Sequence, residues 1–186
     1  MDRTAGAEFE QVTTREVYRN PWLAVREDTF SRSDGSTGVY GVIDKRDFAV
    51  VVPYDRDGFH LVEQYRYPIG ERCWEFPQGS WPPGHPGEDG AALARAELAE
   101  ETGLRAGVLT HLGCLHTASG VMSQRYDVYL ATELTSGDHA REASEADMRQ
   151  RWVSRAEFEA MLRSGQVRDS QTAAAYALFQ LAAARG

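Results

Sequence analysis

The sequence predicts a mixed fold of sheet and helix, an α+β or α/β sandwich, and three observations carry that reading. Apolar runs bounded by turn residues dominate the first 77 positions. A single helical segment follows a Gly/Pro-rich loop near the middle, and two further helices appear only at the end. The length of 186 residues suits one domain with a sizeable core, preceded by a strand-rich stretch over residues 1–45.

Taken in order, EQVTTREVYRN and WLAVREDTFSR flank Pro21 and read as strands, and GVYGVIDKR follows the turn-forming SDGSTG. FAVVVPYD and FHLVEQYRY enclose DRDG, a hairpin signal. RCWEFP leads into GSWPPGHPG, a run of chain-bending residues. A helix from about residue 89 to 102 stops at Gly103, which takes the left-handed conformation that ends helices. VLTHLGCLHT, RYDVYLATEL and MRQRWVS are strand-like. AEFEAMLRSG is a helix begun by Ser154, with Glu157 three residues on as a capping box. An alanine-rich helix runs from Asp169.

Composition narrows the function. Acidic residues outnumber Lys and Arg by 28 to 20, a net charge of −8, which argues against a protein that holds nucleic acid by neutralising phosphates. No apolar run approaches the roughly 20 residues of a membrane span, and MDRTAGAEFE lacks a signal-peptide core. Cys73 and Cys114 show neither zinc spacing nor a disulfide framework, so the expected location is cytoplasmic. Cys73 reads as a small core residue, and the five histidines show no ligand spacing.

The chemistry concentrates in EDGAALARAELAEETG, Glu88–Gly103. At 100° per residue, Glu100 lies about 60° to one side of Glu97 and Glu101 about 40° to the other, so three carboxylates share an arc of roughly 100°. Like charges so close weaken a helix and call for a cation; oxygen ligands suit Mg²⁺ or Mn²⁺. A solvated acidic face is the alternative. Against it, Ala91, Ala94 and Leu98 form a separate packing stripe.

These residues resemble the box of the Nudix hydrolases, G-x5-E-x7-R-E-U-x-E-E-x-G-U, at Glu88, Glu97, Leu98, Glu100, Glu101, Gly103 and Leu104. Ala96 stands where the box has arginine, and Arg95 beside it points to another helix face. Gly79 matches the box glycine with eight residues before Glu88 instead of five, a three-residue insertion in the Pro-rich loop. A looser resemblance, through QYRYPIG and WEFPQG, is to the branch that hydrolyses ADP-ribose and nucleotide sugars. It implies a mixed sheet between helices over residues 46–186, with residues 1–45 mediating a homodimer.

The resemblance implies a Mg²⁺-dependent enzyme, Mn²⁺ being possible. It would cleave the pyrophosphate bond of a nucleoside diphosphate joined to a sugar, with ADP-ribose the first substrate to test. Glu97, Glu100 and Glu101 would hold metal, helped by a backbone carbonyl near Gln78. Glu97 and Glu101 would serve catalysis, with Glu145 (or Glu142) as general base from a loop. Glu88 would stabilise the helix start or contact substrate. Arg66 would clamp a phosphate or form an ion pair. Trp22 and Tyr40 would stack on a base or pack at a dimer seam. Ser119-Gly120, where the ADP-ribose subgroup has Pro-Gly, leaves nucleoside-diphosphate sugars open. Ala96 supports a rival reading, a non-catalytic nucleotide-sugar sensor.

Overall fold

The structure, a computed structural model, describes residues 8–85, 89–137 and 147–184. The chain forms two compact units. One comprises the described residues up to Asp47 together with His116–Arg125, and the other comprises Phe48–Leu115 and the described residues from Tyr126 onward. The excursion at 116–125 therefore belongs with the N-terminal unit, although sequence alone groups it with the C-terminal region. Among the described residues, no helix is long and apolar enough to cross a membrane.

The first unit is a three-stranded antiparallel sheet ordered β1 (Phe9–Arg19), β2 (Leu23–Arg32) and β3 (Thr37–Lys45). Asn20 makes the β1–β2 turn by accepting from Trp22 N and Leu23 N, each at 2.9 Å. Ile43 N donates to Val121 O at 2.8 Å, tying the 116–125 segment to β3. All eleven residues of β1 are exposed, including Phe9, Val12, Val17 and Tyr18, with Val39 and Tyr40 exposed on β3.

The second unit is a mixed sheet with the strand order β10 (Arg149–Ser154), β5 (Gly58–Arg66), β4 (Phe48–Asp55), β9 (Arg125–Ser136) and β8 (Leu104–His116). Two short strands join it: β6 (Glu71–Glu75) on β5, and β7 (Gln78–Gly79) on β4. Strand β4 runs parallel to β9 and antiparallel to β5 and β7. Its apolar run is central and buried on both faces, as a strand with cover on each side requires. Alternation divides it: Val50 and Val52 enter one core, Ala49 and Val51 the other.

Helices cover both faces. Helix α1 (Gly90–Thr102) supplies Leu93, Ala94 and Leu98 to the core of Ala49 and Val51. Helices α2 (Arg155–Ser164) and α3 (Ser170–Ala183) supply Phe158, Met161, Tyr176 and Phe179 to the other. This is the expected α+β sandwich around a mixed sheet, with antiparallel strands at the N-terminus. The helix boundaries follow their caps. Asp89 accepts from Ala91 N and Ala92 N, and Gly103 closes α1 at φ 68°; Ser154 and Asp169 cap α2 and α3.

Candidate active site

The site is built where β5, β6, β7 and α1 meet. Packing of Ala94 and Leu98 into the core fixes the rotation of α1 about its axis, and that rotation sets Glu97, Glu100 and Glu101 along one wall of a cavity of about 280 Å³. Gln64, Arg66, Gln78 and Gly79 also line it, and the Pro-rich loop adds Trp81, Pro82 and His85. The acidic face predicted from sequence is therefore not spread into solvent: Glu101 is 1% exposed and Glu97 8%.

Two contacts tie those carboxylates to β7. Glu101 Oε2 accepts from Gln78 N at 3.2 Å. The Glu97 carboxylate lies against the backbone of Gly79, so close that a Cβ there would meet Oε2 at 2.4 Å and Oε1 at 2.6 Å. Glycine at 79 thus serves close approach.

Arg66, at the end of β5, directs its guanidinium at Glu75, at the end of β6. Nε donates to Glu75 Oε1 at 2.8 Å and Nη2 to Oε2. Glu75 is 1% exposed, and a buried carboxylate demands such a partner. Burial opposes the Arg66 charge, but bonding to Glu75 and the fields of Glu75, Asp169 and Glu101 outweigh it and hold its pKa above the ordinary value. This pair is the alternative to the expected phosphate clamp, and it leaves the clamp open. Nη1 makes no hydrogen bond among the described residues, and Arg66 still lines the cavity. It is the sole Lys or Arg to do so among the described residues.

Ala96 lines the cavity as well. Neighbouring Arg95 turns away, donating to Ala106 O at 2.7 Å. The inserted loop forms a wall of its own. Trp81 and His85 stack with ring centroids 4.1 Å apart and planes 10° apart. Trp81 Nε1 is buried with no hydrogen-bond partner.

Trp22 and Tyr40 belong to the first unit, where Trp22 adjoins the Leu23–Lys45 end of the sheet and Tyr40 pairs with Asp28 five residues along. The two rings are thus not brought together. Tyr40 packs its ring 5.9 Å from Phe30. Glu88, Glu142 and Glu145 lie outside the described residues. Sequence reasoning missed Glu75, Asp169 and Thr172. Glu75 had a signal, an acid inside the strand-like RCWEF; Asp169 read only as the start of a helix, and nothing local to Thr172 announces its bond to Phe76 N.

Among the described residues, no three His, Cys, Asp or Glu side chains close into a cage by themselves. Mg²⁺ does not ask for one, because it keeps several waters and takes one or two carboxylates plus substrate phosphates. Three carboxylates and one guanidinium line the cavity, and all the anionic donors are hard oxygens. The residues present fit the ion.

Residues 44–175 match the NUDIX domain family, and residues 9–43 match the nucleoside diphosphate sugar hydrolase N-terminal domain. The chain belongs to the Nudix family of hydrolases, which generally use a divalent metal, and within it resembles the ADP-ribose and nucleotide-sugar pyrophosphatases. It is 31% identical over 165 residues to the ADP-ribose pyrophosphatase of Mycobacterium tuberculosis, covering 88% of this chain and 79% of that one. It is 31% identical over 134 residues to the ADP-ribose pyrophosphatase of Bacillus subtilis, covering 72% and 71%. A crystal structure of an ADP compounds hydrolase shares the fold, with a TM-score of 0.82 at 21% identity over 94% of this chain and 93% of that one.

Proposed function

We propose that this Nudix enzyme hydrolyses the pyrophosphate bond of a nucleoside diphosphate joined to a sugar, with Mg²⁺, giving a nucleoside monophosphate and a sugar phosphate. ADP-ribose is the first substrate to test. The observation that carries the reading is the gathering of Glu97, Glu100 and Glu101 in one cavity with Arg66 and the Gln78–Gly79 step. The names of the two relatives support the choice of substrate.

A diphosphate resists attack because its oxygens repel a nucleophile. Bound at the α1 carboxylates, with a carbonyl near Gln78, Mg²⁺ would neutralise that charge and acidify a water. Arg66 adds a fixed positive charge in the same cavity, preorganised by Glu75. The Trp81–His85 stack narrows the loop side of the cavity against solvent. Glu145 is the proposed general base, Glu88 a proposed contact at the helix start, and Trp22 and Tyr40 proposed stacking partners for a base. A homodimer through the N-terminal sheet belongs to the proposal, supported by the exposed apolar residues of β1 and β3. A cytoplasmic location does too, since Cys73 and Cys114 are not joined in a disulfide.

The test is incubation of the purified chain with ADP-ribose and a panel of nucleoside-diphosphate sugars, with Mg²⁺, with Mn²⁺ and with chelator. Metal-dependent release of AMP and ribose 5-phosphate is expected. One observation favours the sensor reading, the alanine at position 96 on the cavity wall. Saturable binding of a nucleotide sugar with no cleavage of any compound would establish it and overturn the enzyme.

A further inference from the structure

Helix α3 is remote in sequence from the acidic face of α1, yet its first turn reaches the strand step that face leans on. Asp169 Oδ2 accepts three hydrogen bonds: from Thr172 N at 2.7 Å, from Thr172 Oγ1 at 2.7 Å and from Gln78 Nε2 at 3.0 Å. The first two are what a capping residue does. The third is not. Thr172 Oγ1, fully buried, also accepts from Phe76 N at 3.0 Å. The turn therefore grips β7 and the segment leading into it at two points, the side chain of Gln78 and the backbone of Phe76.

Gln78 is the junction. Its amide Nε2 carries two protons, and they go to two carboxylates, Asp169 and Glu75, the latter at 2.9 Å. Its backbone N donates to Glu101. Gly79, the next residue, is the surface on which the Glu97 carboxylate rests. A shift of Gln78 is thus transmitted to both buried carboxylates of α1 at once.

We propose that Asp169 is a positioning residue for the pyrophosphatase site: by holding the Gln78 amide it sets the Gln78–Gly79 step against Glu101 and Glu97. This rests on the metal-dependent function proposed above. Supporting contacts of this kind are worth roughly 10- to 100-fold in metal affinity or activity.

Capping and positioning are separable by substitution. Asp169→Ser keeps an N-cap oxygen for Thr172 N, but the shorter side chain cannot span to Gln78. Asp169→Asn presents one carbonyl oxygen where Oδ2 stands, and that single atom takes all three bonds. The measurement is Mn²⁺ titration of the full chain by water-proton relaxation without substrate, followed by kcat and KM for ADP-ribose across Mg²⁺ concentrations.

Asp169→Ser is expected to weaken Mn²⁺ about tenfold or more, with a kcat deficit that shrinks as Mg²⁺ rises. Asp169→Asn is expected to restore Mn²⁺ binding to within about threefold of the parent. Gln78→Met supplies a second path should the serine variant fail to fold. It should weaken Mn²⁺ similarly, and where the serine variant folds, combining the two should add nothing further, since both break one contact. Parental Mn²⁺ affinity in Asp169→Ser or in Gln78→Met, with the parent itself binding Mn²⁺, overturns this inference alone. A parent that takes up no Mn²⁺ overturns the metal site and this inference together.

Discussion

Replacing Glu101 with glutamine separates charge from shape at the centre of the site. Glu101 is 1% exposed, and its Oε2 accepts from Gln78 N at 3.2 Å. The glutamine carbonyl can occupy the same place, so the hydrogen bond survives and one negative charge is removed. Without metal the fold should gain slightly. Glu97 sits one turn earlier at i−4, and relieving such a like-charge pair is worth about 0.2–0.5 kcal/mol on a helix surface. For a chain of this size that is a rise of up to about 2 °C in Tm.

With metal the sign reverses. Loss of one of three carboxylates lowers the charge that draws in the cation. At 100 times its Kd, metal stabilises the parent by about 2.7 kcal/mol; a tenfold weaker site gains about 1.4 kcal/mol, half the thermal shift. On catalysis the expected fall in kcat is between about 10²- and 10³-fold, or about 2.7–4 kcal/mol of transition-state stabilisation. Thermal melts with and without MgCl₂, alongside initial rates on ADP-ribose, read all three quantities. A rate within about threefold of the parent, with an unchanged metal-induced shift, would refute the assignment of Glu101. Loss of activity together with a metal-free Tm lowered by more than about 5 °C would make Glu101 a folding residue instead.

Three other outcomes follow from the described contacts. Arg66→Met leaves Glu75 buried without its cation, at a cost of about 3 kcal/mol in urea unfolding, near the low end for such a change because Arg66 keeps partial solvent access; adding Glu75→Leu should recover most of it, and a mild single variant would show the pair to be dispensable. Burial lowers the His60 pKa from its ordinary 6.5, against the attraction of Asp55 at 3.2 Å. The folded chain therefore refuses a proton that the unfolded chain takes. Stability from this source is full above about pH 6.5 and is lost as pH falls through the folded pKa, so His60→Gln should flatten the stability profile between about pH 7 and 5, and an unchanged slope would refute it. Sedimentation should give a dimer for the parent and a monomer for Val12→Lys with Val39→Lys; a parental monomer would remove the sheet as an interface.

The elements were largely legible because local rules wrote them. Gly103, Ser154 and Asp169 end or begin helices by backbone chemistry contained within four residues. The DRDG hairpin was found for an incomplete reason. Its two loop residues, Arg56 and Asp57, carry the positive φ angles themselves, at 48° and 55°. Gly58 is needed because a Cβ there would stand 2.3 Å from Val153 O on β10, a demand set 95 residues away. The carboxylate face was legible from helical spacing alone. Its partners were not: the Arg66–Glu75 pair depends on β5–β6 register, and the Asp169–Gln78 bond spans 91 residues. The two-residue strand β7, set among glycines and prolines, carries no periodicity to read.

Gly79 offers the sharpest separation of site from fold. Its backbone does not lie in the left-handed region, so alanine imposes no dihedral strain there. The Cβ would overlap the Glu97 carboxylate at 2.4–2.6 Å, and the obstructing atoms are the far end of a flexible side chain. A side chain of that kind can swing aside, so the chain should fold with a loss of no more than about 1 kcal/mol, within the range of ordinary substitutions. Glu97 would then have to leave the surface of β7, and a carboxylate displaced by about 1 Å at a metal-dependent centre costs on the order of 10²-fold in rate. Gly79→Ala is therefore expected to melt close to the parent yet turn over ADP-ribose about 10²-fold more slowly, with weaker Mn²⁺ binding. Parental kcat in a well-folded Gly79→Ala chain would mean that the contact between Glu97 and this strand has no part in the reaction.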